Sequence, residues 1–133
     1  MSTTSPEWYQ LRNMVSQGDF SSAAALLRTH PHLLEERNGI GETVLHFLAI
    51  EDHLSGVEWL HAQGASLNAS NKFGTPLLFE VAQLGYHDLF LWLVNHGADL
   101  NQANESGDSL HDYLVEYRCD KMLKFIGEQF PAI

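Results

Sequence analysis

Residues 38–70 read NGIGETVLHFLAIEDHLSGVEWLHAQGASLNAS, and residues 71–103 read NKFGTPLLFEVAQLGYHDLFLWLVNHGADLNQA. Laid over each other at a shift of 33, they agree at Asn38/Asn71, Gly41/Gly74, Leu45/Leu78, Ala49/Ala82, Trp59/Trp92, Leu60/Leu93, Gly64/Gly97, Ala65/Ala98, Leu67/Leu100 and Asn68/Asn101. Ten matches without a gap stand against about two expected by chance, so the chain is a repeat array. Asn104 and Gly107 open the same turn one period later, after which the third unit diverges.

Each unit reads as two short helices and a turn. Thr43 is a cap for a helix running to about Glu51, and a second helix is expected from Leu54 to Gln63, with Val57, Trp59 and Leu60 on one side. Gly64 follows, where a left-handed residue ends a helix. Residues 75–84 and 87–96 repeat the pair. Asn38-Gly39 and the Asn71, Gly74 pair mark tight turns.

These residues resemble the ankyrin repeat, whose pattern runs D-x-x-G-x-T-P-L-H-x-A-A-x-x-G-H, then an apolar helix, then L-L-x-x-G-A-D-x-N. Gly41, Thr43, Leu45, His46, Ala49, His53, Leu60, Gly64, Ala65 and Asn68 match it in the first unit. Gly74, Ala82, Gly85, Leu93, Gly97, Ala98, Asp99 and Asn101 match it in the second. The likeness covers 38–103 and, in worn form, 104–128. Val44 stands where proline is usual and Asp52 where glycine is usual. Thr75-Pro76 comes one residue early, which predicts a bulged helix start, and Ser109-Leu110-His111 reads as a shortened turn.

The resemblance implies an all-α ankyrin-repeat solenoid of about four helix pairs with short β-turn or hairpin loops, capped at both ends. It is expected to be a single domain over 1–133: an N-terminal capping pair over 6–37, repeats over 38–70 and 71–103, and a C-terminal capping repeat over 104–133. Terminal units must turn a polar side outward, because a repeat cannot bury its apolar face alone. Trp8, Leu11, Met14 and Val15 are expected inward at one end. Tyr113, Leu114, Met122, Leu123, Phe125 and Ile126 are expected inward at the other. The array reads as a complete small solenoid without a further catalytic unit.

With 133 residues, 44% of them apolar and 18% charged, the chain can fold without disulfides or metal. Seven Lys and Arg against seventeen Asp and Glu give −10 with neutral histidines, which disfavours nucleic acid and anionic membrane surfaces as partners. No apolar run of transmembrane length occurs, and residues 1–20 do not read as a secretory signal. The one cysteine, Cys119, suits a reducing compartment, so a cytoplasmic location is expected. The charge is uneven: residues 1–37 sum to −1, residues 118–133 to +1, and residues 38–117 to −10, with Lys72 their single base.

Ankyrin repeats usually meet partners with the turn tips and the exposed side of the first helix, which line a concave face. Carried onto this sequence, those positions imply a partner-binding set of Ile40, Glu42, Ile50, Glu51, Phe73, Gln83, Leu84, Glu105, Asp108, Glu116 and Tyr117. Apolar and aromatic residues among carboxylates fit an anchor within a polar rim. The bland alternatives are an acidic surface that serves solubility, or Phe73 and Leu84 rotated inward by the early Thr-Pro.

The chemistry-bearing residues do not assemble into a catalytic motif. Eight histidines show no H-x-x-x-H or H-E-x-x-H spacing, and His30 and His32 only flank Pro31. His46 and His53 fall where the family's imidazoles bond turns of neighbouring repeats, so they read as structural. Cys119 beside Asp120 lacks an activating neighbour, no G-x-S-x-G or phosphate loop occurs, and Glu35-Glu36 reads as a solvated face. Trp59 and Trp92 read as core stacking between second helices. The expectation is a non-enzymatic monomer without cofactor or metal that binds another protein, a basic one, through an acidic concave face. Some small stand-alone ankyrin proteins of bacteria are immunity proteins, and that analogy suggests an inhibitor of a cationic toxin. The rivals are a homo-oligomer using the same apolar positions and a metal or thiol enzyme.

Overall fold

A computed structural model describes residues 3–131. Among these, eight α-helices follow one another: α1 (Pro6–Ser16), α2 (Phe20–Thr29), α3 (Val44–Ile50), α4 (Leu54–Ala62), α5 (Leu77–Leu84), α6 (His87–Asn95), α7 (Leu110–Glu116) and α8 (Asp120–Gln129). A 3-10 turn at Pro31–Leu34 leads from the first pair into the repeats. Each start has a local cause. Ser5, Thr43 and Ser109 accept from the backbone N–H of Trp8, His46 and Asp112, satisfying donors the helix leaves open. Asp19 does the same for Ser22.

The helices keep the sequence period strictly: α3, α5 and α7 begin at 44, 77 and 110, and α4, α6 and α8 at 54, 87 and 120. The early Thr-Pro therefore produces no bulge. Pro76 takes the cap position in extended backbone and α5 starts at Leu77 rather than 75, because a residue preceding proline is held out of the helical region. What is lost is the side-chain cap. The third turn is likewise not shortened, since Ser109 caps α7 with the same backbone angles as Thr43.

Within each pair the two helices lie against each other, and successive first helices (α1, α3, α5, α7) pack directly. The second helices approach one another less closely, so the stack curves with the first helices on its inner, concave side. Broad side chains fill the wider outer gaps. Trp59 stacks on Phe20 at 5.2 Å, Trp92 stacks on His96 at 4.0 Å and meets His61 edge-on, and His87 faces Phe125. The two tryptophans thus lie between second helices, but each stacks on a different partner and stays half-buried rather than core. The continuous core comprises Trp8, Leu11, Leu45, Leu48, Leu77, Phe79, Phe90 and Leu93 among others. Met14, Leu123 and Phe125 pack at its margin, half-buried.

The loops that join the repeats are three copies of one hairpin turn. In each, the backbone N–H of Asn38, Asn71 or Asn104 donates to the carbonyl four residues on. The same asparagine's Oδ1 accepts from the N–H groups two and four residues on. Neighbouring hairpins are joined by backbone bonds from Lys72 N–H to Ile40 and from Glu105 N–H to Gly74, at 3.1 and 3.2 Å. That close approach, together with φ of +80° and +76°, is why Gly41 and Gly74 must be glycine: a Cβ at Gly74 would strike Glu105.

At the turns closing the first helices, Asp52, Gly85 and Arg118 share a left-handed backbone, with φ of 58°, 77° and 56°. Only glycine adopts this conformation without strain. Arg118→Gly is expected to stabilise the fold by about 1 kcal/mol and Gly74→Ala to destabilise it by about 2 kcal/mol or more, read as opposite shifts of the urea midpoint.

Candidate functional site

The inner face carries most of the residues expected to meet a partner. Phe73 is 67% exposed, Tyr117 52%, Ile40 48% and Leu84 47%, so neither Phe73 nor Leu84 is turned inward. Glu51, Gln83, Glu105 and Glu116 are also exposed, and Asp108 is half-buried. Two residues depart from the expectation. Ile50 is half-buried against the core, with its carbonyl accepting from the Tyr86 hydroxyl at 3.0 Å. Glu42 is only 5% exposed: the hairpin folds its side chain under α3 toward His46, so it is not a surface contact.

The second and third hairpins and the end of α7 form a shallow cleft of about 280 Å³ that gathers Phe73, Glu105, Asp108, Glu116 and Tyr117. Its lining includes Tyr113, which the sequence expected inward and which is buried, but which was not among the expected binding residues. The Tyr113 hydroxyl donates to Gln83, and burial, with Tyr117 and nearby carboxylates adding to it, pushes its pKa up to about 12. Ile40, Ile50, Glu51 and Leu84 lie elsewhere and do not line this cleft. Lys72 stands over the Phe73 ring, its Nζ 5.2 Å from the centroid, without forming an ion pair with a cleft carboxylate. Among the described residues, each carboxylate within 4.0 Å of a cationic side chain faces a histidine, and Glu105, Asp108 and Glu116 have no such partner.

His46 and His53 do hold the array together, as the family resemblance implied. His53 accepts from the Gly56 N–H on Nδ1 and donates from Nε2 to the Ser16 carbonyl at 2.9 Å, tying α4 to the end of α1. His46 donates from Nε2 to Glu80 Oε1 at 2.7 Å, so it reaches a side chain on the next repeat's inner helix rather than a turn. Asn71 donates to the same oxygen at 3.1 Å. Glu36 is not simply solvated. Its carboxylate accepts from the N–H and hydroxyl of Ser5, both at 2.8 Å, fastening the entry to α1.

Glu42, His46 and Glu80 form a cluster that sequence spacing does not announce, with one ligating atom of each within 4.8 Å of the others. The only signal is that Glu80 sits one period after Phe47, an inner-helix position outside the pattern used for binding residues. Burial raises the Glu42 pKa and Glu80 raises it further, against lowering by His46 and Asn38. A pKa raised by folding gives stability that is present at acid pH and lost as pH climbs through the folded value. Glu42→Gln removes that penalty. In buffer containing EDTA, its Tm is expected to exceed the parent's at pH 7, with the gap closing toward pH 4.5, the carboxyl's ordinary value.

Comparison with known proteins agrees with this architecture. The family described as "Ankyrin repeats (3 copies)" matches residues 11–104. Protein phosphatase 1 regulatory subunit 27 of Mus musculus and that of Homo sapiens are each 27% identical over 100 residues, which is 75% of this chain and 65% of theirs. The chain thus spans about two-thirds of the length of these relatives. With the asparagine-anchored hairpins, the strict spacing of inner and outer helices and a family match over most of its length, the chain belongs to the ankyrin-repeat family.

Proposed function

We propose that this chain is a non-catalytic binding module that covers a basic surface of another protein with its concave face. The observation that carries this reading is the cleft at the second and third hairpins. Three carboxylates without a cationic partner stand there beside the exposed rings of Phe73 and Tyr117. Unpaired acids close together repel, and a cationic partner relieves that cost while its approach is steered by the field. The aromatic rings supply apolar area that a rim of charges can seal from water. Ankyrin repeats are protein-interaction modules, and the relatives named regulatory subunits fit the same use, an effect exerted by binding.

The narrower proposal is inhibition, by occupying the active-site surface of a cationic enzyme such as a nuclease toxin, in a reducing compartment. A homo-oligomer built on the same face is the weaker alternative. Two copies at −10 each would have to bring like-charged clefts together. Light scattering across a concentration series separates the two, because a free binder stays at about 15.0 kDa.

Once a partner is captured from source lysate, its association rate is expected to fall at least about tenfold between 50 and 500 mM NaCl, as charges more than a Debye length apart are screened. A flat rate would remove the acidic face from the mechanism. Leu84→Arg and Phe73→Arg are expected to weaken binding about tenfold or more, with Tm within about 2 °C of the parent, because both side chains are exposed. Ile50 is excluded from this pair because it packs on the core.

A further inference from the structure

We infer that Glu42, His46 and Glu80 form a zinc site that clasps the first full repeat to the second. The three ligands come from three elements: the first hairpin, α3 and α5. His46 is fully buried, and the side chains of Glu42 and Glu80 are 7% and 21% exposed. Glu42 Oε2 points at His46 Nε2 from 3.9 Å, too far for a hydrogen bond. Two carboxylates therefore converge on one imidazole in a nearly dry site. Among the described residues, no Lys or Arg lies within ion-pair distance of either. One divalent cation between the two carboxylates would balance their charge.

The geometry is close to what zinc requires. A tetrahedral ion about 2.0 Å from each donor holds its ligand atoms about 3.3 Å apart. His46 Nε2 lies 2.7 Å from Glu80 Oε1 and 3.9 Å from Glu42 Oε2, and the three ligand atoms all lie within 4.8 Å of one another, so both carboxylates have to shift, Glu80 outward and Glu42 inward. One imidazole and two carboxylates, with a fourth position open along the partly exposed Glu80, suit a four-coordinate borderline ion. Magnesium and calcium call for six or more oxygens.

On binding, Nε2 gives its lone pair to the metal. The ring hydrogen moves to Nδ1, and any proton on Glu42 is released. Nδ1 is buried without a partner, so the acceptor that usually braces a metal-bound histidine is missing. Such a loss weakens metal binding about 10–100-fold.

The test is calorimetric titration of the full chain with ZnCl2 at pH 7, alongside Tm with and without 100 µM ZnCl2. One buried equivalent and a Tm rise of about 5 °C or more are expected, with no effect of MgCl2. Glu42→Gln and Glu80→Gln are expected to lose that equivalent and the Tm rise, while Glu58→Gln, on the exposed side of α4, keeps both. The Tm of Glu42→Gln measured in EDTA shows whether it is folded and so separates loss of zinc from unfolding. Should that variant fail to fold, the cobalt(II) absorption of the parent decides: strong tetrahedral bands support the site, and weak octahedral bands overturn it. Zinc binding that survives in Glu42→Gln belongs to the exposed histidines and overturns the inference, as does the absence of binding at 100 µM.

Discussion

No helix pair in this chain can close its own apolar side. Helix α3, with buried Leu45 and Leu48, packs on α1 and α5, and α5, with buried Leu77 and Phe79, packs on α7, where Phe79 meets Tyr113. Burial of inner-helix faces across repeat boundaries is the interaction on which the rest depends, at about 25 cal/mol for each Å² of apolar surface removed from water. Because each repeat leans only on its neighbours, a defect at one boundary is felt there first. The backbone bonds between hairpins fix the register in which those faces meet, and they demand glycine at Gly41 and Gly74.

Unequal spacing of the two helix rows gives the molecule its working surface. The inner helices sit close, with Trp8 against Phe47 and Phe79 against Tyr113, while the wider outer gaps admit Trp59, Trp92 and the rings that stack on them. Curvature gathers hairpin tips and the ends of inner helices onto one side. Residues as far apart in sequence as Phe73 and Tyr117 thereby share a cleft. No helix among the described residues is long and apolar enough to cross a membrane.

Electrostatics set a tension within this frame. The repeats concentrate acid with almost no base, and among the described residues the carboxylates in ion-pair range face only histidines. Exposed charge of this kind costs the isolated protein little and is screened by salt. Glu42 is different, because it is carried into the interior beside a second carboxylate, where burial works against its charged form. A chain stabilised only by packing would have no use for that arrangement.

The sequence by itself determined the period, the all-α class, the alternation of two helix types and the four-pair organisation. Each of these is written in local signals: the asparagine and glycine of the turn, the Ser or Thr cap, and apolar spacing. The family resemblance also implied that Phe73, Leu84, Glu105, Glu116 and Tyr117 face a partner, while an inward turn of Phe73 and Leu84 stayed open until the structure showed both exposed. Tertiary structure decided what depends on the neighbouring repeat. Glu42 and Glu51 look alike in sequence as acids at variable positions, yet one is buried under α3 and the other exposed, since only the packed hairpin sets where the side chain goes. Glu80 as the partner of His46, and the place of the buried Tyr113 beside the cleft, were invisible for the same reason. Their surroundings are assembled from residues a full period away, and a one-dimensional pattern carries no record of which side chains meet across a repeat boundary.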